Sequence, residues 1–475
     1  MKVVLAGFNV DLGAIAPCGE GELTPETIAA AYARISRSPL SVDELRKIAR
    51  KDVEKARQSN EKIVFEMGHS SIAEHAIFNI DIMGISRLLV EEVEKFRLVS
   101  FTEKSQRYCL FQDDFTLPDE LKNHALSDLF LSIIRQQQHF YRVAYERLKS
   151  ILTSEKGSYL SPTDDNLAKE DARYAISLAT HTQLGMTINA RNLELMIRRL
   201  AAHPLKEART LSQALFETVH PIAPSLIRYT KPTDYDVAYH DLPEIKGAPS
   251  SDFKAVELIW FTPEADTRLV AALLYRSGGG KGFDECLLEA KQLPKERKRE
   301  IVKESLRHLQ PYDQVRREFE IVDLVYDLTV SATCFAQLKR HRMATILAQA
   351  YNPDLGITIP PRMLRAGLAE DFKKLIETTN ESYRRLIREV PPAAPYILTN
   401  AHRRKLVLKV NARELYHISR LRLDRHAQWD IRSIVQEMVH EAQRVMPLTL
   451  LLAGGRNTYE ENYQTIFSPK EEKSQ

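Results

Sequence analysis

Lys95-Phe-Arg-Leu-Val-Ser-Phe-Thr-Glu-Lys-Ser-Gln-Arg-Tyr108 is the stretch on which the reading of this chain turns. It follows an apolar run, Leu88, Leu89, Val93 and Phe96, spaced as one face of a helix. It then becomes polar with neither Gly nor Pro to break it. If Ser100–Tyr108 is extended, alternation of strand side chains puts Glu103, Ser105 and Arg107 on one side. A carboxylate acceptor, a hydroxyl and a guanidinium fork along one ridge suit a polar heterocycle carrying an anion. A solvated edge strand after a core helix would use the same residue types.

A second, altered copy of the stretch shifts the balance. Lys95-Phe-Arg97-Leu-Val-Ser100 aligns with Arg340-His-Arg342-Met-Ala-Thr345, an offset of 245. Asn189-Ala-Arg191 recurs as Asn411-Ala-Arg413, an offset of 222. The shared order, each following a strand–helix pattern, points to a tandem duplication whose first half has a longer loop and helix.

The chain reads as two repeats, 1–235 and 255–467, with a Pro-, Gly- and Ser-bearing linker at 236–254 and a polar, disordered tail at 468–475. In the first repeat a strand over Lys2–Gly7 precedes helices across Thr24–Phe65, with caps at Thr24 and Ser41. A strand over Ala76–Gly84 and a helix over Ser86–Phe96 follow. A long helix is expected over about Pro118–Leu152, a loop over Ser154–Asn166, and helices over Ala168–Ala179, Asn189–Ala202 and Lys206–Val219. The second repeat restarts with a strand at Ala255–Phe261, helices across Asp266–Leu309 and a strand around Phe319–Val330. Helices over Ala332–Arg342, Leu364–Val390, Asn411–Leu423 and Trp429–Val445 complete it. The fold class is α/β (α+β), with helices around a small antiparallel sheet in each repeat.

Composition narrows the function classes. A chain of 475 residues can build more than one core. Its net charge of +3 gives no strongly basic face for nucleic acid. Cys18, Cys109, Cys286 and Cys334 are scattered without a CxxC pair, as in reduced thiols of a cytoplasmic protein. No apolar run approaches a membrane span.

Histidines and arginines concentrate in the second repeat. Gln337 and His341, Arg413 and His417, and Arg422 and His426 are each four apart, with Arg340 beside His341. Histidine pairs invite a metal, but each has an arginine neighbour and no carboxylate or cysteine completes a ligand set. Bound phosphates fit better. A GxGxxG turn after a strand is absent, and Ser277-Gly-Gly-Gly-Lys281-Gly282 lacks P-loop spacing, so it reads as a turn between helices.

With these residues in view, the chain resembles the flavin-dependent thymidylate synthases. Lys95–Tyr108 is similar to that family's Arg-His-Arg, two residues, Ser, four residues, Ser, one residue, Arg signature. Gly68–His75 is similar to its His/Glu segment. Asn411-Ala-Arg413, Arg422 and His426–Arg432 are similar to its C-terminal FAD-binding helices. The resemblance covers nearly the whole chain as two fused copies. It implies reductive methylation of dUMP to dTMP, with methylenetetrahydrofolate as carbon donor and NADPH-reduced FAD as hydride donor. It also implies sites shared between subunits, so that a homodimer would form a pseudo-tetramer. Its implied substrate contacts are Glu103, Ser105, Arg107, Arg173, Gln337 and Arg340. Its implied cofactor contacts are His69, Ser71, Glu74, Arg340, His341, Arg342, Asn411, Arg413, His417 and His426. Arg422, which would polarise the uracil, and Ser105 are the implied catalytic residues.

Departures from the signature sort by copy. The first keeps Ser100, Glu103, Ser105, Arg107 and Arg173, but Lys95-Phe96 replaces Arg-His, and Leu200 and Pro204 stand where Arg422 and His426 would. The second keeps Gln337, Arg340, His341, Arg342, Asn411, Arg413, Arg422 and His426, whereas Ala348, Ala350, Asn352 and Pro395 replace the substrate residues. One composite site, with its substrate half from the first copy and its flavin half from the second, is the expectation. A same-fold flavoprotein acting on another nucleotide, and a non-catalytic nucleotide- or flavin-binding homologue, stay open on these residues.

Overall fold

The computed structural model describes residues 1–15, 22–111, 114–155, 161–238 and 254–468. Cys18, most of the expected linker and the tail after Ser468 lie outside them. Two compact units form: Met1–Gly247 with Ile359–Asn400, and Ala248–Thr358 with Ala401–Gln475. The helical segment at 359–400, although read with the second repeat, therefore folds as part of the first unit.

The first unit is built on a four-stranded antiparallel sheet of β1 (Lys2–Phe8), β2 (Ile77–Ser86), β3 (Val99–Glu103) and β4 (His181–Asn189), in the order β1-β2-β4-β3. The second is built on β5 (Val256–Phe261), β6 (Asp323–Ser331), β7 (Thr345–Ala348) and β8 (Arg403–Asn411), in the order β5-β6-β8-β7. The two sheets share a topology and a register. Ser100 faces Thr187 as Thr345 faces Lys409, so the offsets of 245 and 222 found in sequence recur as paired residues.

One bulge separates the sheets. Ile77 faces Asn189 as Asp323 faces Asn411, an offset of 246, whereas Ser86 faces His181 as Ser331 faces Arg403, an offset of 245. The extra residue of β2 falls at Gly84, where the register slips and φ is +67°. Glycine adopts this left-handed backbone without the clash a Cβ brings, which lets the strand bulge and continue to Ser86 instead of stopping.

Alternation fills each core. Phe78, Ile80 and Ile82 of β2 and Leu184, Met186 and Ile188 of β4 are buried with Leu193, Met196 and Ile197 of the helix Ala190–Ala201. Leu324, Tyr326 and Leu328 of β6 and Leu406, Leu408 and Val410 of β8 pack likewise with Leu415 and Ile418 of the helix Ala412–Arg422. Each such side chain contributes about 1.5–3 kcal/mol by leaving water. Among the described residues, no helix is long and apolar enough to cross a membrane.

Helices form at Lys206–Val219 and Trp429–Val445 as the apolar spacing predicts. Other expectations need correction. β4 and β8 are strands where no element is expected from the sequence. The expected loop over 154–166 contains the start of a helix, Pro162–Ala172. Pro162 occupies the first turn, and Ser161 with Asp164 forms a reciprocal cap. The expected helix Ala332–Arg342 ends at Leu338, so Arg340, His341 and Arg342 lie beyond it.

Candidate functional site

In the first unit the expected ridge is extended over its first half. β3 ends at Glu103 and residues 106–108 form a turn. The turn is fixed locally, because Ser105 Oγ accepts the Arg107 amide at 3.2 Å. Glu103 does not face solvent. Its carboxylate is ion-paired with Arg87, the first residue of the helix Arg87–Val93, and both side chains are buried. Thr182 Oγ1 donates to the same carboxylate oxygen at 3.1 Å. Burial opposes the charge of Arg87, but Glu103 and Glu91 outweigh it and hold the guanidinium firmly protonated.

Arg107 and Arg173 meet at Glu170. Arg107 Nε lies 2.6 Å from Glu170 Oε2, and Arg173 Nε donates to the Glu170 carbonyl at 3.2 Å. Burial lowers the pKa of Arg173, and the charges of Arg107 and Arg87 add to the effect. Three guanidiniums thus share one electrostatic field, with Glu103 and Glu170 as counter-charges to Arg87 and Arg107. Beside them is a cavity of about 140 Å³, lined by Ser105, Gln106, Cys109, Asp114, His181 and Thr182 among others. Burial depresses the pKa of His181, which favours the neutral imidazole there.

His69, Ser71 and Glu74 are not with this group. Ser71 and Glu74 lie on the short 3-10 helix Ser70–His75 that leads into β2 at Ile77, where β2 faces Asn189. The Arg87–Glu103 pair lies at the other end of β4, beside Thr182 and Leu184. Several residues at about 3.3 Å each separate the two ends. Glu74 pairs with Arg191 at 2.5 Å, and Arg37 Nη2 lies 3.4 Å from His69 Nε2.

The second unit assembles a different cluster. Arg422 Nε donates to His341 Nε2 at 3.0 Å, and Arg422 Nη2 donates to the Gln337 carbonyl at 3.0 Å. The side chain of Gln337 reaches Gln428 Oε1 at 3.3 Å. His341 is buried, stacks edge-on with His417 and has Nδ1 3.6 Å from Glu414. Burial, together with the charges of Arg422 and His417, holds its pKa well below the ordinary 6.5. Burial also raises the pKa of Glu414, against the opposing charges of His417 and Arg413. Arg340, Arg342 and His426 are exposed around this core.

The expected helical pairs divide. Arg413 and His417 do share the helix Ala412–Arg422, but His341 and His426 lie outside helices, so the pairs Gln337/His341 and Arg422/His426 are not helix-face pairs. Asn411 caps its helix through the Glu414 amide, as Asn189 caps the matching helix through Asn192. Arg413 is held by Glu320 at 2.7 Å, by Gln314 and by the Val315 carbonyl. Glu320 stands where Glu74 does, so this ion pair repeats Glu74–Arg191 in the second unit.

The family Thy1, thymidylate synthase complementing protein, matches residues 22–225 and again 257–448. The chain belongs to this family. A UPF0159 protein of Chlamydia pneumoniae is 23% identical over 437 residues, 84% of this chain and 80% of the relative. The flavin-dependent thymidylate synthase of Clostridium tetani is 29% identical over 218 residues, 44% of this chain and 83% of the relative. A solved flavin-dependent thymidylate synthase of Helicobacter pylori, complexed with FAD and dUMP, covers 49% of this chain and 100% of its own at 20% identity, with a TM-score of 0.35.

Within this Thy1-family chain, side chains of each unit occupy the positions where its signature departs from that of the other unit. In the first unit Glu92, the counterpart of Gln337, pairs with Lys95 at 2.6 Å and with His203 at 3.5 Å. Burial raises the Glu92 carboxyl, yet the bonds from His203 and Lys95 outweigh it and hold the group well below the usual range. In the second unit Arg404 takes the place of Thr182. Its guanidinium lies between the Phe335 and Tyr351 rings, 4.5 and 4.4 Å from their centroids, and its Nε donates to the Gln349 carbonyl at 2.7 Å. Glu92 and Lys95 are three residues apart, but the bond from His203 to Glu92 and the seating of Arg404 depend on contacts across the fold.

Proposed function

We propose that this protein is a flavin-dependent thymidylate-synthase-like methyltransferase of the cytoplasm. It converts dUMP to dTMP with methylenetetrahydrofolate as carbon donor and NADPH as reductant. The repeats at 1–235 and 255–467 contribute different halves of one site, nucleotide from the first and flavin from the second, in a homodimer. The observation that carries this reading is the reciprocal loss. Glu103, Ser105, Arg107 and Arg173 persist where the flavin positions are closed by Glu92, Lys95 and His203. His341 and Arg422 persist where Arg404 fills the substrate position.

The donor set of the second unit fits FAD. Arg340, Arg342 and Arg422 supply positive charge suited to a pyrophosphate, His417 and His426 add ring N–H groups, and Arg413 and His417 lie one turn apart along a helix. These residues would hold the cofactor, which supplies a hydride when bound. In the first unit, Arg107 and Arg173 neutralise the nucleotide phosphate, and Ser105 orients it. Arg422, its guanidinium fixed by His341 and the Gln337 carbonyl, offers a preorganised charge to the pyrimidine oxygen as negative charge develops.

Purified protein should carry FAD and form dTMP from dUMP, methylenetetrahydrofolate and NADPH. Flavin-free protein without dUMP binding, or unchanged turnover in Arg422→Ala, would overturn the proposal. Flavin-bound protein inert toward dUMP would instead favour another nucleotide as substrate.

A further inference from the structure

Gln106, between Ser105 and Arg107, is the residue of the turn that neither the ridge nor the family signature uses. It is 8% exposed and lines the 140 Å³ cavity of the first unit. Its one side-chain hydrogen bond among the described residues is from Asn400, at the end of the segment that the second repeat contributes to this unit. Asn400 is 1% exposed, and its Nδ2 lies 2.9 Å from the Arg173 carbonyl and 3.1 Å from Gln106 Oε1.

These contacts fix which way both amides face. A backbone carbonyl can only accept, so the Asn400 atom beside Arg173 must be its NH₂ group. The Gln106 atom that meets the same NH₂ must then be its carbonyl oxygen. Gln106 Nε2 is left as a donor, buried and without a partner among the described residues. Leaving a buried donor unsatisfied is costly, and native proteins rarely do so without a use for it.

We infer that Gln106 donates through Nε2 to an acceptor oxygen of the nucleotide bound in the first unit, and that Asn400 is the positioning residue that fixes this donor. The partner oxygen belongs to a pyrimidine carbonyl or to the phosphate. This rests on the nucleotide reading of the first unit, and it gives the second repeat a part in substrate recognition that does not pass through flavin.

Calorimetric titration of the full-length protein with dUMP and with deoxyuridine tests it. Gln106→Met keeps the shape and removes the Nε2 donor together with the Oε1 that accepts from Asn400, so dUMP affinity should fall about tenfold while the protein still folds with a cooperative melting transition. Gln106→Glu, which replaces the donor by an acceptor, should weaken dUMP further. Equal weakening of deoxyuridine by Gln106→Met identifies a pyrimidine carbonyl as the partner, and weakening of dUMP alone identifies the phosphate. Asn400→Ala should weaken dUMP in the wild-type background and add little to Gln106→Met, because the two act as one unit. Wild-type affinity in Gln106→Met overturns the donor role, and additive losses overturn the positioning role. Failure of the wild-type protein to bind dUMP would overturn the nucleotide reading itself.

Discussion

Arg87 and Glu103 form a buried ion pair in the first unit, and their counterparts in the second unit are Ala332 and Ala348. Both charges are gone from the second sheet together. That is the expected outcome when either charge alone would be left in a low-dielectric interior without its partner.

The pair can be removed stepwise in the same way. Arg87→Ala removes the buried counter-charge of Glu103 and should cost about 3–5 kcal/mol in urea unfolding. Glu103→Ala should cost less, because Glu91 and Glu94 still act on Arg87. The double alanine variant, which is the second unit's own solution, should cost less than the sum of the single losses. Additive single and double costs would mean that the two charges do not stabilise each other.

Sequence spacing revealed more of the fold than of the site. The helices Lys206–Val219 and Trp429–Val445 were legible because their buried positions recur every three or four residues. β4 and β8 alternate equally clearly, as in Arg404, Leu406, Leu408 and Val410, yet each runs directly into a helix with no Gly or Pro to mark its end. Arg340–Arg342 continues a helical pattern with no breaker, and the chain leaves the helix where His341 turns inward to Arg422 and Glu414. Residue types grouped Glu103, Ser105 and Arg107, and the family resemblance added Arg173. They could not show that Glu103 would be taken up by Arg87, or that Asn400 would hold Gln106. Such pairings depend on the tertiary fold, and local spacing carries no trace of them.

Arg404 supplies a second test. Arg404→Thr restores the residue of the first unit and removes a cation held between two buried rings and bonded to Gln349. Stacking and hydrogen bonding of this kind contribute about 1–3 kcal/mol, so the melting temperature should fall. Nucleotide binding should stay at one dUMP per chain, since Ala348, Ala350 and Asn352 offer no substitute for the first unit's Glu103, Ser105 and Arg107. Two nucleotides per chain, in wild type or variant, would contradict a closed second half.

The repeated pair of Glu74 with Arg191 and Glu320 with Arg413 separates a structural role from a cofactor role. Glu74 and Arg191 are 36% and 50% exposed, and Arg191→Leu should cost at most about 1 kcal/mol. Arg413 is less exposed and holds three acceptors, so Arg413→Leu should cost about 1–3 kcal/mol. If Arg413 also contacts flavin, FAD content should fall in Arg413→Leu and stay at the wild-type level in Arg191→Leu. Unchanged FAD in both would confine the Asn-Ala-Arg repeat to capping and ion pairing.

His341 should make stability depend on pH. Its folded-state pKa is depressed by burial and by the charges of Arg422 and His417, so as pH falls below the ordinary 6.5 the unfolded chain takes up the proton first. Stability is therefore full above that value and declines below it, by about 1.4 kcal/mol for each pH unit down to the folded-state pKa. Protonation would also turn Nε2 from an acceptor into a donor and break the bond from Arg422 that orients the guanidinium. Glu414 acts with the opposite sign. Its raised pKa gives a contribution that is present below 4.5 and is lost as pH rises through the folded-state value. Melting temperatures of wild type and His341→Gln, compared between about pH 7.5 and pH 5.5, isolate the histidine, because both proteins keep Glu414. The fall on acidification should be larger in wild type. Equal falls would show that His341 does not titrate differently in the folded chain.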